Sequence, residues 1–482
     1  MAKAIVSWPS EYMTRLVTRS LREFPDNFSI VSDLPDDDSP LLQWSTYDDI
    51  SHSLTLQSSR IPSSRRVLSS SYTIRKALIR KHFLHRTFTN YSTKYPESVL
   101  GKAVPRTWSI DLAFADELDE LWSDELWELG QMLDHNAETQ SGHAGNCWIL
   151  KPGMADRGMG IRLFHDKAGL MKIFESFEDP ESDEEAEQVI PSSNEDNTSV
   201  AMSQLRHFVI QEYLPNPLLI DPTQAKVAGS SEMLPRSSEV GAGRKFHLRA
   251  YFVASGALKL YLCPNILALF ASSPYTSPEP IAPRAGLDGD EEETIDLRPH
   301  LTNTSLQSDK SDTEVQTNVR LLDELIGCRI YPIAGDTVAA ETMKFERRFS
   351  SQDVSGIIGQ VTEILSDTFQ AALAMPVHFQ PLSNAFEIFG ADLLITYSDN
   401  EDSFQVHILE MNAEPAIELT GSRLQWILDD FFRGVADVCV RPLLFPEESN
   451  KCGAGEKEWE VGEVRHGLIK CLDVRVWGCA AQ

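Results

Sequence analysis

Cysteine is sparse and unpatterned in this chain: seven residues, an odd number, run from Cys147 to Cys479 with no C-x-x-C spacing. That argues against a disulfide framework and a zinc ribbon, and for a reducing compartment. Long apolar runs are missing too. The longest, Leu258 to Ala271, is broken by Lys259 and Pro264 and falls short of the ~20 residues a membrane span needs. The opening MAKAIVSWPSEY has no signal-peptide apolar region. These absences predict a soluble, cytoplasmic protein with no membrane partner. Basic residues are also few, 43 Lys and Arg against 72 Asp and Glu in 482 residues, a net charge of −29. No direct contact with nucleic acid is expected at that balance. What remains is ordinary: 42% hydrophobic residues, with Gly and Pro at 26 each. Such a chain suits roughly two to three domains with a core that needs no cross-links.

The charge is segregated. Residues 174–197 hold ten acids and no Lys or Arg, and Gly286 to Asp296 holds six more, again unopposed. Between Arg60 and Arg106 eleven basic residues stand against the single acid Glu97. A basic patch therefore lies early in the chain and acidic, disorder-prone insertions later.

Periodicity places the elements. Ile74, Leu78, Phe83 and Leu84 recur at roughly helical spacing within Tyr72–Phe88, and a second helix is expected over Asp111–Leu133. The pattern then turns to strands at Trp148–Pro152, Gly160–Phe164, Phe208–Leu214, Lys245–Ser255, 258–270, 386–395 and 404–412. Long amphipathic helices are expected at Ser351–Ala374 and Leu419–Val440, and a strand-like piece at Leu472–Trp477 in a tail whose role the residues do not suggest. No internal repeat is visible.

Four features carry chemistry. Lys151 ends an apolar strand and precedes the glycine-rich turn 153–160, with Arg157, Gly158 and Gly160. No Lys-Ser/Thr follows the second glycine, so this is not a Walker A loop. It reads either as a flexible hairpin closing over phosphates or as a plain strand–turn–strand. Second, Lys245, His247 and Arg249 share one face of an alternating strand. Three potential cations on one face call for something anionic: phosphate, or acids on a neighbouring strand. Third, Glu410 and Asn412 stand two apart at a strand end, and Asp392 ends another strand. Two carboxylates and an amide oxygen are hard ligands suited to Mg²⁺, although an E-x-N pair alone is common. Fourth, His300–Leu301–Thr302–Asn303 offers polar groups and otherwise reads as a turn.

Taken in order, WILKP…RGMGI (148–161), FVIQEYLPNPLLI (208–220), RKFHLRAYFV (244–253), SPY (273–275), HLTN (300–303), FEIFGAD (386–392) and LEMNAEPAIEL (409–419) resemble the tubulin–tyrosine ligase family of ATP-grasp enzymes, from about residue 60 to 446. The resemblance implies an α+β ATP-grasp fold, two lobes with ATP in the cleft between them, behind a small N-terminal domain. The corresponding division is an N-terminal domain over 1–140 with its basic patch at 60–106, and a central lobe over 141–221 with an acidic disordered insertion at 174–197. A linker over 222–243, a C-terminal lobe over 244–446 with an acidic insertion at 276–299, and a tail over 447–482 complete it.

Carried over residue by residue, the resemblance makes Lys151 an α-phosphate contact and puts Arg157, Gly158 and Gly160 over the phosphates. Gln211, Glu212, Tyr213 and Leu214 become the adenine hinge. Lys245 and Arg249 face the phosphates and an acyl phosphate, Asn303 lines the cleft, and Asp392, Glu410 and Asn412 hold Mg²⁺. Lys245, Arg249 and Glu410 are the expected catalytic residues. ATP would activate a carboxylate that an amine then attacks, joining a free amino acid to an acceptor protein such as the acidic tail of tubulin. Two positions depart from the family wording: His247 stands where K-F-D-I-R has Asp, and Leu269 where the ligases usually carry Arg. Fungal members, among them the ligase-like half of a yeast P-body-associated protein, are similar in the H-L-R and L-A-L-F-A wording. This implies a second role, as a partner in mRNA-decay assemblies.

Overall fold

The computed structural model describes residues 1–24, 28–61, 65–138, 147–154, 160–178, 206–225, 243–278, 295–302, 318–332, 347–397, 403–445 and 458–476. They build three sheets. The first is parallel, in the order β2-β1-β3-β4, from β1 (Ala2–Ile5), β2 (Phe28–Ile30), β3 (Leu41–Gln43) and β4 (Val67–Ser69). Parallel pairing needs crossovers, and α1 (Glu11–Leu21) and α2 (His52–Arg60) supply two of them. Ser10 caps α1 by accepting from the Met13 N–H.

The second sheet is antiparallel, in the order β5-β8-β6-β7, from β5 (Thr107–Asp111), β6 (Trp148–Pro152), β7 (Arg162–Phe164) and β8 (His207–Glu212). Alternation sends Trp148, Leu150, Phe208 and Ile210 into a core with Leu129, Leu133, Leu170 and Phe174, which come from α3 (Trp127–Glu138) and α4 (Lys167–Glu178). The opposite face, with Ile149, Lys151, Val209 and Gln211, is left for the cleft.

The third sheet has ten strands around the long β10 (Arg244–Ser255). β9 (Leu219–Ile220), β11 (Lys259–Leu262), β12 (Leu267–Phe270), β13 (Val319–Leu321), β14 (Ile330–Tyr331), β15 (Phe386–Tyr397), β16 (Phe404–Ala413), β17 (Val464–Arg465) and β18 (Leu468–Asp473) complete it. Phe246, Leu248, Ala250, Phe252 and Ala254 of β10 pack with α5 (Ser351–Leu373), which buries Val354, Ile357, Val361, Ile364, Leu365 and Phe369 at helical spacing. Each such side chain contributes about 1.5–3 kcal/mol on burial. A reciprocal Ser350–Asp353 capping box starts that helix. Tyr251 and Val253 face the other way, into a core shared with the parallel sheet and with α6 (Gln425–Val435).

The structure redraws several expectations. The basic segment is not confined to an N-terminal unit: Tyr72, Leu78, Leu84, Phe88 and Leu100 join the α5 core. Arg75 and Glu387 form a buried ion pair there, with the Tyr72 N–H donating to Glu387 at 3.1 Å. Residues 107–138, grouped by sequence with the first domain, belong to the β6–β8 sheet instead. Asp111–Leu133 is not one helix. A strand ends at Asp111, short helical pieces follow at Ala115–Glu117 and Leu118–Leu121, and α3 begins only at Trp127. The acidic stretch begins inside α4, where Phe174 and Phe177 are buried anchors, so the aromatic pair outweighs the local acids. Residues 179–197, like most of 222–243 and 276–299, lie outside the described residues. Leu419–Val440 breaks at Gly421 (φ 83°) before α6 begins. The tail earns a role: β18 pairs with β11 and extends the large sheet.

Candidate active site

β6 and β8 pair so that Ile149 faces Gln211, and the Lys151 Nζ donates to Gln211 Oε1 at 2.7 Å. Lys245, one residue into β10, lays its Nζ 4.1 Å from the centre of the Tyr213 ring. Both lysines are buried, 8% and 7% exposed, and neither has a carboxylate at ion-pair distance among the described residues. Burial pushes Lys245 down to about 7, with Lys151 adding repulsion. Burial likewise pushes Lys151 down to about 8 against the opposing pull of Glu410.

The floor of the cleft is the β15–β16 ladder, whose register sets Asp392 opposite Glu410 and Gly390 opposite Asn412. A bulge after Asp392 falls at this point in the ladder. Gly390 is required by packing: a Cβ there would meet Pro415 Cβ at 2.9 Å and Arg249 Cδ at 3.1 Å. Asp392 accepts from Arg249 Nε at 2.5 Å and Nη2 at 2.9 Å, and from Asn412 Nδ2 at 3.2 Å. Burial alone would raise Glu410, but Lys81 and Lys151 outweigh it and hold the carboxyl down to about 2.

The cationic face of β10 exists as drawn, with one amendment. β10 is a central strand, and burial holds His247 below the usual imidazole range, which disfavours its charged form. Its Nδ1 lies 2.5 Å from Thr302 Oγ1, and its Nε2 lies 3.6 Å from Asp392 Oδ1. Leu269 sits directly opposite His247 on β12. The two departures from the family wording are therefore one place.

At the hinge, Glu212 holds Arg106 through a two-point contact of 3.1 and 2.9 Å. The buried Tyr213 hydroxyl meets His300 Nδ1 at 2.9 Å, and Leu214 is half-buried beside it. Gly160 takes a left-handed φ of 68°. Arg157, Gly158 and Asn303 lie outside the described residues. Sequence reasoning missed Lys81, whose Nζ is 3.5 Å from Glu410 Oε2, and singled out Thr302 only as part of a polar turn. The only sequence signal for Lys81 was its membership of the basic segment.

Asp392, Glu410 and Asn412 could hold a cation together. Among the described residues no three His, Cys, Asp or Glu side chains form a metal cluster. Two carboxylates and an amide fit an ion that keeps several waters, as Mg²⁺ does, and not an all-protein cage.

A model of the tubulin-tyrosine ligase family matches residues 68–448. The chain is 34% identical to the probable tubulin–tyrosine ligase PBY1 of Saccharomyces cerevisiae over 457 residues, 92% of this chain but 52% of that protein. It therefore spans about half the length of that relative. It is 33% identical to the probable tubulin–tyrosine ligase C12B10.04 of Schizosaccharomyces pombe over 459 residues, covering 94% of this chain and 95% of that one. The C-terminal domain of K. lactis Pby1, described as an ATP-grasp enzyme interacting with the mRNA decapping enzyme Dcp2, is similar in structure. Its TM-score is 0.60 at 26% identity, covering 99% of this chain and 100% of that one. The order of motifs, the cleft between two antiparallel sheets and these likenesses agree: the chain belongs to the tubulin–tyrosine ligase family and has the ATP-grasp fold.

Proposed function

We propose that the chain binds ATP with Mg²⁺ in the cleft between the β6–β8 and β10–β16 sheets and acts as a carboxylate–amine ligase on a protein acceptor, in the cytoplasm. The observation that carries this reading is the pair of buried lysines. Lys151 and Lys245 repel each other and have only Gln211 and the Tyr213 ring as close partners among the described residues, and burial disfavours the charge of both, pushing them down to about 8 and about 7. Polyphosphate is the ligand that returns it. In the reaction, a substrate carboxylate oxygen attacks the γ-phosphorus and ADP leaves. An amine then attacks the acyl carbon, phosphate leaves, and an amide bond remains. Arg249 and Lys245 meet the charge that develops on the transferred phosphoryl, and Arg157, Gly158 and Gly160 belong to the loop over it. Gln211, Glu212, Tyr213 and Leu214 would form the adenine hinge, and Asn303 would line the cleft. Asp392, Glu410 and Asn412 would hold Mg²⁺, which neutralises phosphate charge when bound.

Tubulin tails are acidic, and the basic residues of 60–106 favour such an acceptor despite the overall charge. A second reading has its own support. A similar structure is described as interacting with a decapping enzyme, and His247 with Leu269 alters the place where the ligases grip the activated carboxylate. In that reading the nucleotide site serves an mRNA-decay scaffold.

Thermal unfolding with and without ATP–Mg²⁺, on wild type and Glu410→Gln, tests the nucleotide site. ATP at about 100 times its dissociation constant should add roughly 2.7 kcal/mol. A wild-type shift that the variant lacks supports a live site; no shift in either defeats the ligase reading. With the shift present, formation of ADP that depends on an acceptor separates ligase from scaffold.

A further inference from the structure

Arg320, in the middle of edge strand β13, is fully buried at 0% exposure. Its Nε, Nη1 and Nη2 all lack a hydrogen-bond partner among the described residues. The acid within electrostatic reach, Glu324, is already taken. The Arg423 fork holds both its oxygens, with Nη2 at 3.0 Å from Oε2, and the Leu321 N–H donates to Oε2 at 3.0 Å. Arg423 itself repels Arg320. Among the described residues Arg320 and Arg423 share the single carboxylate of Glu324, which leaves a positive charge over. Burial pushes Arg320 down to about 10, which still leaves it charged at neutral pH. Arginine does not relieve burial by losing its proton at neutral pH, and an anion both accepts from its free donors and offsets its charge.

The place is separate from the nucleotide cleft. Arg320 is paired with Ala268, and Ala268 with Leu248. Those two residues face the α5 core, whereas Val319, Leu321 and Leu269 face the opposite core. Arg320 thus points away from Lys245 and Asp392. Asn318, two residues earlier and 3% exposed, accepts from Arg244 Nη1 at 3.4 Å, which brings a second guanidinium to the same strand end.

We propose that Arg320 anchors a second anion site, for a small oxyanion of carboxylate or phosphate type, on the α5 side of the large sheet at its β13 edge. The planar fork of donors matches either group in a two-point contact.

Sodium phosphate and sodium glutamate, titrated separately at constant ionic strength, test this by calorimetry and thermal unfolding on the full chain. Wild type, Arg320→Met and Lys151→Met are compared. In oxyanion-free buffer Arg320→Met should unfold at the wild-type temperature or above it, because it removes an unpaired buried charge. Wild type should show saturable binding, weakened by about tenfold or more in Arg320→Met and retained in Lys151→Met. The anion that saturates at lower concentration identifies the class. A lower unfolding temperature of Arg320→Met in oxyanion-free buffer overturns the proposal, since the chain then already compensates the charge. So does a response lost in Lys151→Met but kept in Arg320→Met, which assigns it to the cleft. Should the Met variant not fold, slowed hydrogen exchange at Val319–Leu321 of wild type in the binding anion stands in its place, and unchanged exchange there refutes the site.

Discussion

If the cleft is empty of compensating charge, its affinity for ATP must depend on pH through the lysines. Lys245 sits at about 7, against an ordinary value of 10.5, because burial and Lys151 both oppose its charge. Bound polyphosphate restores the charged form. At pH 9, two units above 7, only about 1% of Lys245 is protonated in the free protein. Binding must then include proton uptake, at ~1.36 kcal/mol per unit. From pH 7, where half of Lys245 is already uncharged, to pH 9 that amounts to an affinity loss of about 50-fold, or ~2.3 kcal/mol, with Lys151 adding to it above about pH 8. The terminal phosphate, with a second pKa of about 6, changes little over pH 7.5–9. Titration calorimetry in two buffers of different ionisation enthalpy measures both the affinity and the protons taken up. Lys245→Met should bind more weakly at pH 7.5 and lose most of the pH dependence. Stability of the ligand-free protein should move the other way. Between about pH 7 and 10.5 the unfolded chain holds more protons than the folded one, so unfolding becomes harder as pH rises. An ATP affinity that is flat from pH 7.5 to 9, with no proton uptake, refutes the reasoning: both ammonium groups would then be charged in the free protein.

Arg75→Met leaves Glu387, 2% exposed, as an unpaired buried carboxylate, and should cost about 3–5 kcal/mol in urea unfolding. Truncation after residue 457 removes β17 and β18 and bares the β11 edge with Tyr261. It should lower the unfolding temperature and promote association, as read by light scattering. Leu269→Arg places a guanidinium opposite Val319 within a buried apolar cluster; it should lower the unfolding temperature while the stabilising shift from ATP–Mg²⁺ persists.

Legibility followed the range of the interactions. The alternation in β10, β15 and β16 could be read directly, because a strand buried on both faces still sorts its polar residues to one of them: Lys245, His247 and Arg249. The α5 helix was equally plain from its spacing. What local pattern could not show was pairing between distant segments. Lys81 approaches Glu410 from the far end of the chain, and Thr302 reaches His247 from a segment outside the sheet, 55 residues further along the chain. The run Asp111–Leu133 kept a helical distribution of leucines while its backbone divided. Leu112, Leu118, Leu126 and Leu129 all reach one core from separate pieces, and periodicity cannot tell a continuous helix from several that share a face.

The same tertiary view changes the meaning of the two departures from the family wording. As isolated letters, His247 and Leu269 are two substitutions; in the sheet they are a cross-strand pair and must be judged together. Leu269 is 6% exposed and packed in an apolar cluster, so the missing guanidinium has been replaced by core. His247 is bonded to Thr302, and burial disfavours a charge on it beside Asp392. A carboxylate at 247 would instead stand next to Asp392 and compete with it for Arg249. The pair therefore forms an uncharged surface next to the groups proposed to face phosphate and metal. Under the proposed function, nucleotide binding and substrate activation would depend on separate residues on one sheet face, so that the first could be kept while the second changed its substrate or was given up.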